Sequence, residues 1–328
     1  MKTQIFPLFL FALILTLLVS TSYSQQYLEI TIETNRNAYY RGEIVQVYGN
    51  LTLDGEPVTD GLVAVEVNDA RGSPLIIRTL NTGTQPQMAW YVYIGTIFTS
   101  DQQGNPRSDF YRGELLYVNI TVVNNDVEPR HTLVTATALD KDLVPMGTAS
   151  VEATIPGRTY TRYIVSIPVP TDAAIGTATI YVNAYTEWPM LQGVPYCPER
   201  NTTCNIVSTS GSASATTTTT QTIQQASQGY NLTFKIPRQI PVGIFTAYVS
   251  SIYQGLTAFN SKTFQVKMLG DVNGDGRVDY WDLYYLGKSY GKQQDDPQYN
   301  PEADFNRDGK INFLDLYIIG INYGKRAL

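Results

Sequence analysis

Residues 271–282 read Asp-Val-Asn-Gly-Asp-Gly-Arg-Val-Asp-Tyr-Trp-Asp, and residues 304–315 read Asp-Phe-Asn-Arg-Asp-Gly-Lys-Ile-Asn-Phe-Leu-Asp. Both stretches have the twelve-residue spacing of an EF-hand-type calcium loop, with oxygen-bearing side chains at positions 1, 3, 5 and 12. Position 6 is glycine in each, at Gly276 and Gly309, where such a loop turns sharply. The pattern therefore predicts two calcium ions, one in each loop.

Each position of the two loops has its own predicted role. Side-chain oxygens come from positions 1, 3, 5 and 12, a carbonyl oxygen from position 7, and a bridging water from position 9. So many protein oxygens favour calcium over magnesium, which keeps more of its water ligands. Apolar Val278 and Ile311, at position 8, predict a short β contact between the loops. The predicted ligands are Asp271, Asn273, Asp275, Arg277, Asp279 and Asp282, then Asp304, Asn306, Asp308, Lys310, Asn312 and Asp315.

A helix is predicted after each loop, because apolar residues recur there at helical spacing. No comparable helix precedes the first loop. A loop followed by one helix, with Asp at position 12, resembles the type I dockerin domain, especially that of archaeal secreted proteins. The resemblance covers residues 270–325. It implies two calcium ions, two pseudo-symmetric helices and non-covalent docking to a cohesin-like domain of an extracellular or cell-surface protein, often within polysaccharide-degrading assemblies.

The resemblance also implies that loop positions 10 and 11 contact the partner. These positions hold Tyr280 and Trp281 in the first repeat, and Phe313 and Leu314 in the second. Cellulosomal dockerins commonly have a small hydroxyl pair there, so large apolar side chains argue against a cellulosome-type partner. Aromatic residues that become buried in an interface make good anchors. The alternative, that the four side chains pack on the neighbouring domain, remains open from the sequence.

The chain before the loops alternates apolar and polar residues with a period of two, as in Leu28-Glu-Ile-Thr-Ile32. Such strands without intervening helices predict a mainly β protein with two immunoglobulin-like β-sandwich domains, followed by the small helical module. Residues 40–43, Tyr-Arg-Gly-Glu, recur at residues 111–114. The first sandwich resembles macroglobulin-like modules and the second resembles adhesion-type immunoglobulin-like domains. The predicted domains are 25–90, 91–268 and 269–328.

The N-terminus predicts export. Residues 1–24 have the charged start, the apolar stretch and the small residues of a secretory signal peptide. An uncleaved membrane anchor is disfavoured, because about 15 apolar residues fall short of the roughly 20 that span a bilayer. We therefore expect a secreted or cell-surface protein without a membrane span after cleavage, and a disordered Ser/Thr-rich insertion at 207–228. Predicted glycosylation sites are Asn50, Asn119, Asn201 and Asn231.

The composition argues against several classes of partner, metal centre and catalytic site. With 23 Lys and Arg against 29 Asp and Glu, the net charge of -6 argues against nucleic acid as a partner. One His and two Cys nearly exclude His/Cys metal centres. In an oxidising compartment, Cys197 and Cys204 predict a disulfide that closes a small loop. His131 is interpreted as a turn residue, and no catalytic residue is predicted. A glycosidase carboxylate pair can be distant in sequence, so counting carboxylates does not exclude one.

The predicted function is that of a non-enzymatic, secreted calcium-binding protein that docks to a cohesin-like domain. The sandwiches would then serve as spacer or adhesion modules. The alternative is an auxiliary carbohydrate-binding or hydrolytic subunit of an extracellular polysaccharide-degrading assembly. In that case sugars would stack on a surface formed by Trp90, Trp188, Tyr91, Tyr93 and Tyr185.

Overall fold

The computed structural model describes residues 26–86, 90–208 and 229–327. It confirms a mainly β protein with two sandwiches and a C-terminal helical module. The predicted signal peptide and nearly all of the predicted Ser/Thr-rich insertion lie outside the described residues. Within the described ranges, no helix has both the length and the apolar character needed to cross a bilayer.

The first sandwich combines strands from both ends of the β region. Its five-stranded sheet has the order β3-β19-β18-β7-β8 and is accompanied by three-stranded sheets of order β17-β4-β2 and β1-β5-β6, with strands numbered in chain order. Their bounds are β1 (Leu28–Ile30), β2 (Glu33–Thr34), β3 (Ala38–Tyr40), β4 (Ile44–Gly49), β5 (Leu51–Leu53), β6 (Glu56–Pro57), β7 (Leu62–Asn68), β8 (Pro74–Asn81), β17 (Tyr230–Lys235), β18 (Gly243–Tyr253) and β19 (Leu256–Lys267).

The second sandwich lies within the connection between β8 and β17. It has a five-stranded sheet of order β10-β16-β15-β12-β13 and a three-stranded sheet of order β14-β11-β9. Strands such as β11 bury one face in a separate apolar core, whereas β12 is buried on both faces over most of its length. Their bounds are β9 (Val92–Ser100), β10 (Asp109–Tyr111), β11 (Leu115–Asn124), β12 (Arg130–Leu139), β13 (Pro145–Ile155), β14 (Thr159–Pro168), β15 (Gly176–Tyr185) and β16 (Arg200–Val207).

The two sandwiches share one topology. In each, a short strand pairs in parallel with the last strand of the five-stranded sheet, β3 with β19 and β10 with β16. The repeated Tyr-Arg-Gly-Glu turns follow these short strands and make equivalent backbone bonds, from Gly42 to Ile236 and from Gly113 to Val169. The sequence repeat therefore marks equivalent positions in two copies of one fold, the second inserted into the first.

The strand pairing differs from the predicted division at residue 90. Strand β17 pairs with β4, and β18 pairs with β7, so residues 230–267 belong to the first sandwich and not to the second. A period of two identifies a strand and its buried face, but it carries no information about the neighbouring strand. An insertion between two paired strands therefore leaves no trace in the alternation.

The sandwiches pack closely against each other. Ala64 and Ile77, on the outer face of the β7-β8 pair, form a buried cluster with Leu133 and Tyr185 of the second sandwich. The Thr137 hydroxyl accepts a hydrogen bond of 3.2 Å from the Ile77 amide. Apolar contacts and satisfied buried polar groups of this kind make the two sandwiches one packed body.

The C-terminal module follows β19 directly. It contains the helices α1 (Tyr280–Ser289) and α2 (Phe313–Asn322) and a short 3-10 helix, Pro301–Ala303. Its core includes Val278, Leu286, Ile311 and Ile319, together with Tyr40 of the first sandwich. The module therefore shares its core with the domain that precedes it.

Two smaller predictions about the sandwiches are wrong. Cys197 and Cys204 are free thiols buried in the core of the second sandwich, where they pack as small apolar groups, and no disulfide joins them. Burial raises the pKa of the Cys197 thiol to about 11 and that of Cys204 to about 12. His131 is the second residue of β12 and not a turn residue, and its imidazole lies 4.0 Å from the Glu187 carboxylate.

Candidate functional site: the paired calcium loops and the exposed helix surface

In the first loop, the carboxylates at positions 1 and 12 are fixed by backbone amides. Asp271 accepts hydrogen bonds from the amides of Gly274 at 2.7 Å and Gly276 at 2.8 Å. Asp282 accepts one from Val272 at 2.7 Å. Gly276 has φ +79°, as expected for the sharp turn at position 6. These hydrogen bonds hold the beginning and the end of the loop close together.

The second loop repeats this arrangement. Asp304 accepts a hydrogen bond from the Gly309 amide at 2.9 Å, and Asp315 accepts one from the Phe305 amide at 2.8 Å. Gly309 has φ +79°, the same value as its counterpart in the first loop. Because the spacing and the hydrogen bonds are both repeated, the two loops are pseudo-symmetric.

The position 9 residues cap the helices that follow. The Asp279 carboxylate accepts a hydrogen bond from the Trp281 amide at 2.9 Å and forms a capping box with Asp282. Asn312 and Asp315 form the same box at the start of α2. The position 12 carboxylate therefore bonds to the loop and to the start of the helix together.

The predicted β contact between the two loops is wrong. The Val278 backbone bonds instead to Gly324 and Lys325, which follow α2. The Ile311 backbone bonds to Gly291 and Lys292, which follow α1. Each loop is therefore joined to the segment after the other loop's helix, and the two Cβ-branched side chains at position 8 are completely buried.

The loop carboxylates lie in a strongly negative environment. Burial raises the pKa of Asp271, and the negative charges of Asp282 and Asp275 raise it further, against the lowering effect of its backbone hydrogen bonds. In the second loop, the Tyr299 hydroxyl donates to Asp304 at 2.6 Å. Burial and the negative charge of Asp304 raise the pKa of Tyr299 to about 12. The clustered negative charge of the loop carboxylates favours a bound cation.

The donor set fits calcium. It consists of carboxylate, amide and carbonyl oxygens, which are the ligands this cation prefers. Among the described residues, no Lys or Arg forms an ion pair with the loop ligands, and no three His, Cys, Asp or Glu side chains converge tightly enough to hold a metal. The Asn273 amide nitrogen donates to Asp275 at 3.0 Å, and Asn306 donates to Asp308 at 3.0 Å. Each asparagine oxygen accepts a backbone amide, that of Asp275 at 3.1 Å in the first loop and that of Asp308 at 3.1 Å in the second.

The sequence of this module matches a known family. Residues 269–322 match the type I dockerin domain model. The C-terminal module is a type I dockerin domain. Type I dockerins bind calcium and associate with cohesin domains, and proteins that carry them are typically extracellular.

The remaining comparisons are distant. No curated protein matches the chain. A cycloisomaltooligosaccharide glucanotransferase from Paenibacillus sp. is 15% identical, with 36% of this chain aligned to 14% of that chain and a TM-score of 0.27. The C-terminal domain of Wzt is 9% identical over 39% of this chain and 86% of that chain, with a TM-score of 0.32. The alpha-2-macroglobulin of E. coli is 9% identical, with 74% of this chain aligned to 23% of that chain and a TM-score of 0.25.

Each helix of the dockerin exposes several large apolar side chains to solvent. The four residues at loop positions 10 and 11 are between 53% and 65% exposed, so they do not pack on the neighbouring sandwich. Further exposed apolar residues follow them one turn and two turns later along the helices. Their i+4 spacing is visible in the sequence, but our prediction did not include them. We define the helix surface as Tyr280, Trp281, Tyr284, Tyr285, Phe313, Leu314, Tyr317 and Ile321.

Aromatic rings on α1 support each other within this surface. The Trp281 ring meets Tyr280 and Tyr284 edge-on, with ring centroids 5.8 Å apart in both pairs. Tyr284 in turn meets Tyr285 edge-on at 5.5 Å, and the Lys288 ammonium lies 4.5 Å from the Tyr284 centroid. Contacts of this kind restrict the rings before any partner binds, which lowers the entropy lost on binding.

The aromatic residues predicted to stack on sugars do not form one surface. Tyr185 is completely buried between the sandwiches, and Trp188 packs against that buried cluster while its indole nitrogen donates to Glu152 at 2.6 Å. Trp90 and Tyr93 pack against the second core, and only Tyr91 extends mainly into solvent. Core packing accounts for four of the five residues.

Proposed function

We propose that this chain is a secreted, non-enzymatic docking protein. Its dockerin holds two calcium ions and binds a cohesin-like domain on an extracellular or cell-surface partner, while the packed sandwiches act as a spacer. The observation that carries the proposal is the exposed helix surface on a module with two calcium loops. The secretory signal predicted at the N-terminus supports an extracellular location, as does the usual location of dockerin proteins.

The calcium ligands would be the six oxygen donors of each loop. Bound calcium would neutralise and cross-link carboxylates that otherwise repel each other. Asp271 and Asp304 are already oriented by backbone amides, and Asp282 and Asp315 connect each loop to a helix N-terminus. The loops therefore fix the positions at which α1 and α2 begin, and with them the helix surface.

The helix surface has the properties of a protein interface. Large aromatic side chains bury much area and lose little side-chain entropy on binding, and they often supply most of the binding energy. Residues at loop positions 10 and 11 lie at the start of each helix, in the positions that the dockerin resemblance assigns to the partner. Neighbouring apolar side chains that stay exposed on a well-packed protein are typical of an interaction site.

Three ionisable groups beside a cavity are bonded within the fold, which is compatible with the non-enzymatic role that we propose. A cavity of about 690 Å³ lies between the sandwiches. On its wall, Asp140 accepts the backbone amides of Asp142, Val144 and Ala174, which leaves this carboxylate a structural role. Lys141 pairs with the Asp142 carboxylate at 2.7 Å. These charges are occupied in the fold and are not poised for acid-base chemistry.

Binding of the full chain to purified cohesin domains tests the proposal. We expect association in calcium that a chelator reverses. Trp281→Ala with Phe313→Ala should weaken it at least tenfold, because each removes an exposed anchor. The matched control is Tyr160→Ala, since this tyrosine is 62% exposed on the second sandwich. Equal binding by the double variant and the control would contradict the assignment of the helix surface.

A further inference from the structure

The first sandwich holds the second calcium loop through an ion pair. Arg307, at position 4 of that loop, donates to both carboxylate oxygens of Glu43, at 2.7 Å and 3.2 Å. Its guanidinium also donates to the carbonyl of Ala38 at 3.4 Å. Glu43 is the last residue of the Tyr40 turn, which we define as residues 40–43. A bidentate guanidinium–carboxylate pair of this kind fixes the relative orientation of the two side chains as well as their distance.

Aromatic packing continues the contact into the interior. Tyr40 is 6% exposed and belongs to the core of the dockerin. Its ring lies 5.9 Å from that of Phe305, at position 2 of the second loop. The Arg307 guanidinium lies 5.1 Å from the Tyr40 ring centroid. The Tyr40 turn therefore contacts the second loop at two positions, one apolar and one charged.

Position 4 of the second loop is backbone-strained. Arg307 has φ +58°, in the left-handed region that side chains disfavour. The equivalent position of the first loop is Gly274, at φ +74°, where glycine carries no such cost. The loop conformation alone thus favours glycine at position 4. The contacts of the Arg307 side chain with the first sandwich compensate for the backbone strain.

The second sandwich provides a copy of the turn without the contact. Glu114 accepts the Tyr111 amide at 3.0 Å and pairs with Arg107 at 2.7 Å. Glu43 likewise accepts the amide of Tyr40, at 2.7 Å, so the two turns are built alike. Tyr111, however, is 41% exposed. The interaction with the dockerin is therefore an addition to the turn and not a requirement of the sandwich fold.

We propose that Glu43 and Tyr40 are positioning residues for the second calcium loop, so that calcium binding there and docking of the dockerin onto the first sandwich are one coupled equilibrium. The inference rests on the proposed calcium function. Within the second loop, Asp304 already accepts the Gly309 amide at 2.9 Å and Asp315 accepts the Phe305 amide at 2.8 Å. The contacts of Arg307 and Phe305 hold the backbone of the same loop in place, which raises the fraction of molecules competent to bind.

Coupling must be reciprocal. If the Tyr40 turn strengthens calcium binding, then calcium strengthens the attachment of the dockerin to the first sandwich by the same factor. The first loop has Val272 and Gly274 at the positions of Phe305 and Arg307, so it lacks both contacts. We therefore expect the coupling in the second loop only.

Calcium titration of the full chain by isothermal calorimetry tests this inference. Glu43→Gln should weaken one of two calcium sites about fivefold, the size expected from a partly exposed ion pair. Asp308→Ala, which removes a ligand of the second loop, should abolish that same site. Arg307→Gly should also weaken it, although glycine relieves the backbone strain. A role confined to the loop backbone predicts the opposite sign for Arg307→Gly.

Glu114→Gln is the matched control, because it makes the same change in the equivalent turn of the second sandwich. It should leave both calcium sites within twofold of the parent chain. The inference is overturned if Glu43→Gln and Arg307→Gly leave both sites unchanged, or if Glu114→Gln weakens them equally. A parent chain that takes up no calcium would instead refute the proposed function, and this inference with it.

Discussion

The Arg78–Glu199 ion pair joins the two sandwiches, and Glu199→Ala should therefore destabilise both. The Arg78 guanidinium donates twice to the Glu199 carboxylate, each time at 2.7 Å, and the side chains are only 13% and 10% exposed. The guanidinium also lies 3.2 Å from the Tyr181 ring centroid. Burial would lower the pKa of Arg78, but the Glu199 charge and hydrogen bond outweigh it and raise the pKa.

The expected loss of unfolding free energy follows from the unpaired groups that remain in the Glu199→Ala variant. Removing one partner of a buried pair leaves an uncompensated charge and costs about 3–5 kcal/mol. The Glu199 carboxylate also accepts bonds from the Thr79 amide at 3.3 Å and the Asn183 side chain at 3.2 Å, and both are lost. For a unit of roughly 150–250 residues, this corresponds to a fall in Tm of about 6–20 °C.

Differential scanning calorimetry of the calcium-loaded chain measures this effect. Because the sandwiches share a packed interface, we expect their transitions to fall together. Arg78→Met combined with Glu199→Leu is the matched variant, since it removes both charges, and it should destabilise the chain clearly less than Glu199→Ala because it leaves no unpaired charge in the interior. A fall in Tm below about 2 °C for Glu199→Ala, or an equal fall for the double variant, would refute the reasoning.

Three other groups in the chain have measurable consequences. Burial raises the pKa of Glu66 above its unfolded value of 4.5, so this carboxylate lowers stability increasingly as pH rises from 4.5 towards the raised value. Glu66→Gln should therefore stabilise the fold near pH 7 but not near pH 4 in thermal unfolding, and an equal gain at both would count against this. The Cys197 and Cys204 thiols should react with a thiol reagent in urea without reductant and be protected in the native chain, whereas no reaction in urea would indicate a disulfide. Asp275→Ala with Asp308→Ala should abolish the stabilisation of the dockerin by calcium, while the unfolding transition of the sandwiches persists. If the unfolding transition of the dockerin in the parent chain is the same with and without calcium, this prediction is wrong.

The calcium loops could be predicted from the sequence because their information is local. Twelve consecutive residues contain every ligand and the glycine of the turn, so the spacing alone predicts the conformation. The strands could be predicted for the same reason, since alternation over a few residues identifies a buried face. Even the repeated turn at residues 40–43 and 111–114 corresponds to equivalent structure.

Contacts between distant segments could not be predicted in this way. Glu43 and Arg307 are 264 residues apart, and nothing in either local sequence indicates the other. Pairing of β17 with β4 likewise depends on an insertion that alternation does not record. Cys197 and Cys204 are close in sequence, but in the fold each is buried in the core as a free thiol. Proximity in sequence was therefore an unreliable guide to bonding there.

Calcium-dependent docking through the helix surface is the main function proposed for this chain. The decisive measurement is capture on the immobilised full chain, from the producer's extracellular and envelope fractions in calcium, followed by chelator elution and mass spectrometry. We predict release of a protein with a cohesin domain that Trp281→Ala with Phe313→Ala fails to capture. Failure to capture a cohesin-bearing protein, or equal capture by that double variant, would contradict the account.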